Sequence, residues 1–221
     1  MYTDIFIPLI VIPTLDIFLC KILSNTARWF QLHALTNLII ILIIFNDVKN
    51  YYFNLFDAIQ EKTSNIDSNF IIILHFYHCL FFNNLTKLDW FHHLVFILLG
   101  VLPSTLTINT NIVRFFTFTG CGFPGFIEYS SLVLMKHEMI TSLQQKNLNS
   151  YMYTYIRNPL AMFNCAFTYI AYKNNYLSSE NSFVLIYTIL LIYFNGTFYN
   201  KLTIENYRDS YYKKIIYENN D

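Results

Sequence analysis

Charged residues are scarce in this chain of 221 residues. Lys, Arg, Asp and Glu together make up 13% of it, against about 25% in a typical soluble protein. Apolar residues make up 55%, and the mean hydropathy is +0.37. Too few charges remain to cover a soluble globule, so we expect the missing solvent-facing surface to face lipid. Fourteen basic residues balance fourteen acidic ones, which leaves no argument for a nucleic-acid partner.

Cysteine and glycine are also few, with four and five residues. Cys20, Cys79, Cys121 and Cys165 lie far apart in apolar runs, without the C-x-x-C spacing of a metal or redox site. They are predicted to be buried free thiols. The sequence also lacks a glycine-rich phosphate loop, a G-x-S-x-G motif and a zinc-protease signature. These absences exclude the commonest nucleotide-binding and hydrolase sites.

Apolar runs account for most of the chain. Because a membrane-spanning helix needs about 20 apolar residues, they predict an all-α polytopic membrane bundle of about seven transmembrane helices. The predicted domains are an N-terminal transmembrane segment (1–24), a membrane domain (25–205) and a polar cytoplasmic tail (206–221). The first run has neither a basic n-region nor a cleavage site, so it is predicted to be a helix rather than a removed signal peptide. The runs cover residues 5–20, 28–47, 69–82, 90–108, 112–135, 156–172 and 183–199.

Polar residues within the first two runs carry further predictions. Asp16 is predicted either to be a buried functional acid or to lie near the far interface, beside Lys21. His33 and Asn37 are four residues apart, so they share a helix face that is predicted to point into the bundle. Ten Lys and Arg residues fall on one side of a seven-span topology and four on the other, which predicts a cytoplasmic C-terminus. Arg157, at the start of the sixth run, is one of these ten.

The fifth run contains three of the five glycines, in GCGFPG at residues 120–125. The pattern predicts a broken helix, with Pro124 in the first turn of the restarted segment. One interpretation is a kink that lets neighbouring helices pack closely. The other is a cavity lining, with Gly122, Pro124 and Gly125 as lipid-binding residues. Glu128, one turn later, is the only acidic residue deep in an apolar run.

Four of the six histidines fall within residues 75–93. His75 and His78 share one helix face, and His92 and His93 open the next run. Asp89 precedes that pair by three and four residues. It is predicted either to cap the helix or to orient an imidazole as a general base. His92, His93, Asp89 and Glu128 are therefore the candidate catalytic residues, and His75 and His78 are candidate lipid-binding residues.

The same four histidines loosely resemble the histidine boxes of membrane di-iron hydroxylases and desaturases. Imidazole suits iron or zinc, but only His33 and His137 remain to complete such a site. A histidine-ligated, metal-dependent lipid oxidase is therefore the third functional hypothesis. No metal site and no resident cofactor are predicted.

Four segments together resemble the TLC domain family, which includes translocation-associated membrane proteins, ceramide synthases and a ceroid-lipofuscinosis protein. They are ARWFQLHALTN at 27–37, HFYHCLFF at 75–82, DWFHHLVFILLG at 89–100 and FIEYSSLVLMKH at 126–137. The resemblance covers roughly residues 25–205. It implies a multi-pass helical bundle in the endoplasmic reticulum or another endomembrane, with a membrane lipid as partner.

The resemblance also implies a role for the paired histidines. In ceramide synthases a His pair is thought to serve acyl transfer from acyl-CoA, and it corresponds to His92 and His93. Those enzymes have an H-D-x-x-D motif in the next span, where this chain has only Glu128. The first hypothesis is therefore a lipid-binding, lipid-sensing or membrane-composition protein. The alternative is an N-acyltransferase with acyl-CoA as co-substrate.

Overall fold

The computed structural model describes residues 3–61, 64–83 and 85–218, and all regular structure within them is helical. Three stretches wind as π-helix, with one more residue per hydrogen-bonded ring than an α-helix. The helices are α1 Thr3–Leu23, α2 Arg28–Phe53, α3 Leu55–Ala58, α4 Ile66–Phe81, α5 Lys87–Phe91, π1 His92–Val101, α6 Leu102–Thr107, α7 Ile112–Thr117, π2 Phe118–Gly122, α8 Phe123–Lys136, α9 Ser142–Met152, π3 Tyr153–Arg157, α10 Asn158–Lys173 and α11 Ser182–Glu218.

Several consecutive helices join end to end, so the described chain forms seven long helical stretches. Four of them are long and apolar enough to cross a membrane, namely Asp4–Leu23, Arg28–Phe53, Lys87–Thr107 and Ser182–Ile216. The helix Ile66–Phe81 is apolar but shorter. The all-helical prediction is confirmed, whereas a count of about seven transmembrane helices goes beyond these four. The tail predicted from residue 206 continues α11 without a break to Glu218.

Each π-helical stretch ends two residues before a proline: Pro103, Pro124 or Pro159. Proline has no N–H to donate to the carbonyl four residues earlier, and its ring crowds that carbonyl. The residue before each proline instead bonds five residues back. Leu102 donates to the Ile97 carbonyl, Phe123 to Phe118 and Asn158 to Tyr153. The prolines thus widen these helices locally without interrupting them.

The predicted break in the fifth run was wrong in form. The backbone stays helical from Ile112 through Lys136, and no glycine has a positive φ. Pro124 does open the next α-helix, as predicted. Its missing N–H leaves the Gly120 carbonyl without the usual partner, and the Arg157 side chain donates to that carbonyl at 3.2 Å. A π-helical turn and an arginine replace the expected unwound segment.

Helix α1 packs against α2 and α4, and an ion pair fixes it there. Asp16 is only 2% exposed. Both of its oxygens bind the Arg28 guanidinium, and Oδ2 also accepts a hydrogen bond from the Tyr77 hydroxyl at 2.8 Å. Asp16 is therefore buried in the bundle, where Arg28 of α2 and Tyr77 of α4 offset part of the cost of burying its charge.

Candidate functional site

A polar cavity of about 150 Å³ lies inside the bundle, and we name it the histidine cavity. It is bounded by α2, α4, α5, α8, α11 and all three π-helical stretches, which is consistent with the frequent occurrence of π-bulges at functional sites. Its wall is formed by Trp29, Asn37, His75, His78, Leu88, Asp89, His92, His93, Gly120, Cys121, Gly125, Glu128, Tyr129, Tyr153, Arg157 and Tyr199.

Two of the histidines form a hydrogen-bonded chain with Tyr199. His75 Nδ1 lies 2.7 Å from the Ile71 carbonyl, so this nitrogen must carry the proton and donate. In a neutral ring His75 Nε2 is then an acceptor, and it lies 3.1 Å from His92 Nε2. His92 therefore donates from Nε2 and accepts at Nδ1, 3.1 Å from the Tyr199 hydroxyl. The chain fixes one tautomer of each ring and holds both rings in place.

The remaining imidazoles pack around this chain. His93 Nδ1 lies 2.9 Å from the Cys79 thiol. The His78 ring stacks on Trp29 at 3.4 Å between centroids, and its Nδ1 is buried without a partner. His33 stacks on Tyr129 at 4.0 Å and contacts the His75 ring edge. Five of the six histidines thus form one cluster. The sequence analysis grouped only four of them and left out His33.

His33 and Asn37 are both buried on the inner face of α2, as predicted. The spacing of four residues was the signal that placed them together, but it did not connect them with the histidines of α4 and π1. His137, the sixth histidine, lies apart from the cluster and contacts the Gln31 side chain at 3.2 Å.

Asp89 adopts the capping role of its two predicted alternatives. Thr86 and Asp89 form a capping box at the start of α5, in which Asp89 Oδ2 accepts from the Thr86 N–H and hydroxyl. Within the described residues Asp89 makes no hydrogen bond to an imidazole. Glu128 also lines the histidine cavity, and it accepts a hydrogen bond from the Tyr153 hydroxyl. Within the described part of the chain, Glu128 likewise makes no hydrogen bond to His92 or His93.

The structure separates the three residues predicted from the GCGFPG pattern. Gly125 lines the histidine cavity, and a Cβ there would lie 2.5 Å from Asn37 Nδ2. Gly122 faces Ile40 and Ile41 on α2, where it permits close helix packing. Pro124 is buried and does not line the cavity. Gly120, which the prediction omitted, borders the cavity with open space where a Cβ would stand.

Arg157 is one of the cavity residues that sequence reasoning missed. It was counted among the loop charges, but it is only 5% exposed and lines the histidine cavity. A second, largely apolar cavity of about 70 Å³ lies beside the first. Both cavities are bordered by Arg157, His92, Gly120 and Cys121. An arginine two residues before a proline in an apolar run was the available signal.

The apolar helices indicate a helical membrane protein, and its bundle contains the histidine cavity. The described residues contain no group of three or more His, Cys, Asp or Glu side chains arranged to hold a metal ion. No family model, curated protein or solved structure matches the chain. The site itself must therefore carry the functional argument.

Proposed function

We propose that this protein binds a membrane lipid inside its helical bundle. The headgroup occupies the histidine cavity, and the hydrocarbon chain enters the adjoining apolar cavity. One observation carries the proposal: the polar and the apolar cavity share four wall residues, so they offer adjacent surroundings to the two ends of an amphiphile. Ligand sites combine apolar walls with a few fixed polar groups in this way.

The polar wall suits a lipid headgroup. The cavity holds hydrogen-bonding groups of both kinds, among them the His78 imidazole and the Glu128 carboxylate. Polar groups of this density inside a membrane protein are costly unless they are paired or used. The apolar wall has the opposite character and contains Phe96, Val113 and Leu191. A lipid would satisfy both surroundings at once.

The proposal includes the topology. Seven spans with a cytoplasmic C-terminus are supported by seven long helical stretches, which coincide with the seven apolar runs, and by the asymmetric distribution of Lys and Arg. Membership of the TLC domain family remains part of the same proposal. It is supported by the segments 27–37, 75–82, 89–100 and 126–137, all four of which contribute residues to the cavity. Membrane-composition control or lipid sensing in an endomembrane would follow from lipid binding.

The test is a substitution that fills part of the histidine cavity with a larger side chain. A Gly120→Leu substitution places its side chain where no neighbouring atom lies within 4 Å of the new Cβ. Ala166→Leu adds the same side chain at an exposed position on α10 and serves as the control. Native mass spectrometry after mild delipidation should show a lipid on the unmodified protein and on Ala166→Leu, and none on Gly120→Leu. Equal retention by all three folded proteins would refute the proposal.

The N-acyltransferase remains a second candidate because His92 borders both cavities in a fixed orientation. Its Nδ1 accepts from Tyr199, and its Nε2 faces His75. In cells without their own ceramide synthases, the native protein should raise an N-acyl lipid, and the His92→Ala/His93→Ala variant at equal abundance should not. If neither protein changes the amount of any N-acyl lipid, acyl transfer is refuted and lipid binding remains the proposal.

A further inference from the structure

Arg157 is a buried cation whose guanidinium is only partly paired. It ends π3, directly before Asn158 and Pro159, and lies where the two cavities meet. Nη2 donates to the Asn195 side-chain oxygen and to the Gly120 carbonyl. Nη1 is buried and has no hydrogen-bond partner among the described residues. The protein thus holds the guanidinium through Nη2, whereas the N–H groups of Nη1 lack an acceptor among the described residues.

No group among the described residues forms a direct ion pair with Arg157. Its partners at Nη2 are an amide and a backbone carbonyl, both uncharged. The Tyr153 and Tyr199 rings flank the guanidinium at 4.7 and 5.6 Å from their centroids. Within the described part of the chain, no carboxylate lies within the 4.0 Å that defines an ion pair with Arg157. Glu128 shares the cavity, but its bonded oxygen is taken by the Tyr153 hydroxyl.

A buried charge without a counter-ion is strongly unfavourable, and a membrane interior increases the cost. Guanidinium groups bind carboxylate and phosphate oxygens better than other partners because their planar donors match those oxygens. We infer that Arg157 holds the anionic headgroup of the bound lipid, a carboxylate or a phosphate. This inference rests on the proposed function and names the chemical class of its ligand.

The residues around Arg157 also support a headgroup in the histidine cavity and a hydrocarbon chain in the apolar cavity. His78 Nδ1 is a second buried nitrogen without a partner on the wall of the histidine cavity, so a neutral imidazole can donate to another headgroup oxygen. The apolar cavity begins at Arg157 and is smaller than the polar one, about 70 Å³ against 150 Å³. An apolar space beside one cation suits a hydrocarbon chain whose headgroup is charged. The ligand class is therefore an anionic amphiphile.

The experiment compares four probes with identical hydrocarbon chains on the purified full-length protein. A long-chain fatty acid and a lysophosphatidic acid are the two anions. A lysophosphatidylcholine carries a phosphate whose charge is balanced by its choline group, and a monoacylglycerol is neutral. Affinities are measured by competition against one fluorescent fatty acid in detergent at fixed ionic strength. We expect at least one anion to bind about tenfold or more tightly than the monoacylglycerol, the range typical of a charged hydrogen bond. The stronger of the two anions identifies the headgroup.

Variants then assign that preference to one residue. Arg157→Gln should bring the anion and the monoacylglycerol to within about twofold of each other, whereas Arg208→Gln, which removes an exposed cation on α11, should leave the native ratio unchanged. Anion preference that persists in folded Arg157→Gln overturns the inference. So does equal binding of the neutral and anionic probes to the native protein, a comparison that needs no variant. In that case lipid binding still stands, whereas failure of all four probes to bind refutes the proposed function itself.

Discussion

Removal of the Asp16 carboxylate tests whether α1 is a permanent part of the bundle. The change is Asp16→Asn, which leaves a side chain of the same shape and removes one charge. Asp16 is 2% exposed, whereas Arg28 is 35% exposed. Breaking a fully buried pair costs about 3–5 kcal/mol. Because Arg28 can regain part of its hydration, we expect a smaller loss of about 2–4 kcal/mol in the free energy of unfolding.

The assay is reversible unfolding in mixed detergent and dodecyl sulfate micelles, followed by far-UV circular dichroism. Asp209→Asn is the matched control. It removes one member of the pair formed with Arg208, in which both side chains are more than half exposed, and should change stability by less than about 1 kcal/mol. A double variant with Arg28→Gln should recover part of the loss, since it removes the unpaired cation. A folded Asp16→Asn as stable as the control would show that the pair does not hold α1.

Two further changes examine smaller parts of the site. Thr86→Ala removes the capping box shared with Asp89 and should lower the free energy of unfolding by about 0.5–2 kcal/mol without altering lipid retention; lost retention at full stability would instead give Asp89 a ligand role. Tyr199→Phe removes the hydroxyl that His92 accepts from and should cost about 0.5–1.5 kcal/mol by the same unfolding assay. An unchanged stability would contradict the hydrogen-bonded chain through His75.

The helical class followed from composition, because a chain this apolar with so few charges has few alternatives. The inward face of α2 followed from periodicity, since His33 and Asn37 are one turn apart and both are buried. The clustering of histidines from α2, α4 and π1 did not follow. It depends on which helices are neighbours, and that is set by packing between segments distant in the chain.

The π-helical stretches were missed for a different reason. The sequence gives the prolines, and proline in an apolar run usually indicates a kink or a break. Here the residues before Pro103, Pro124 and Pro159 bond five positions back, and the helix continues. A carbonyl freed by a proline can be satisfied by a side chain from elsewhere in the fold. For Gly120 that side chain is Arg157, which lies 37 residues away in the chain.

Mapping the position of a bound hydrocarbon chain tests the central claim most directly. The protein in lipid nanodiscs would be loaded with a single-chain lipid that carries a photoactivatable diazirine near the end of its chain. It would then be irradiated, and the crosslinked peptides would be identified by mass spectrometry. If the chain lies inside the bundle, crosslinks should appear in the wall of the apolar cavity, at Phe96, Val113 or Leu191. Crosslinks confined to lipid-facing residues such as Ile10 and Leu190 would contradict it.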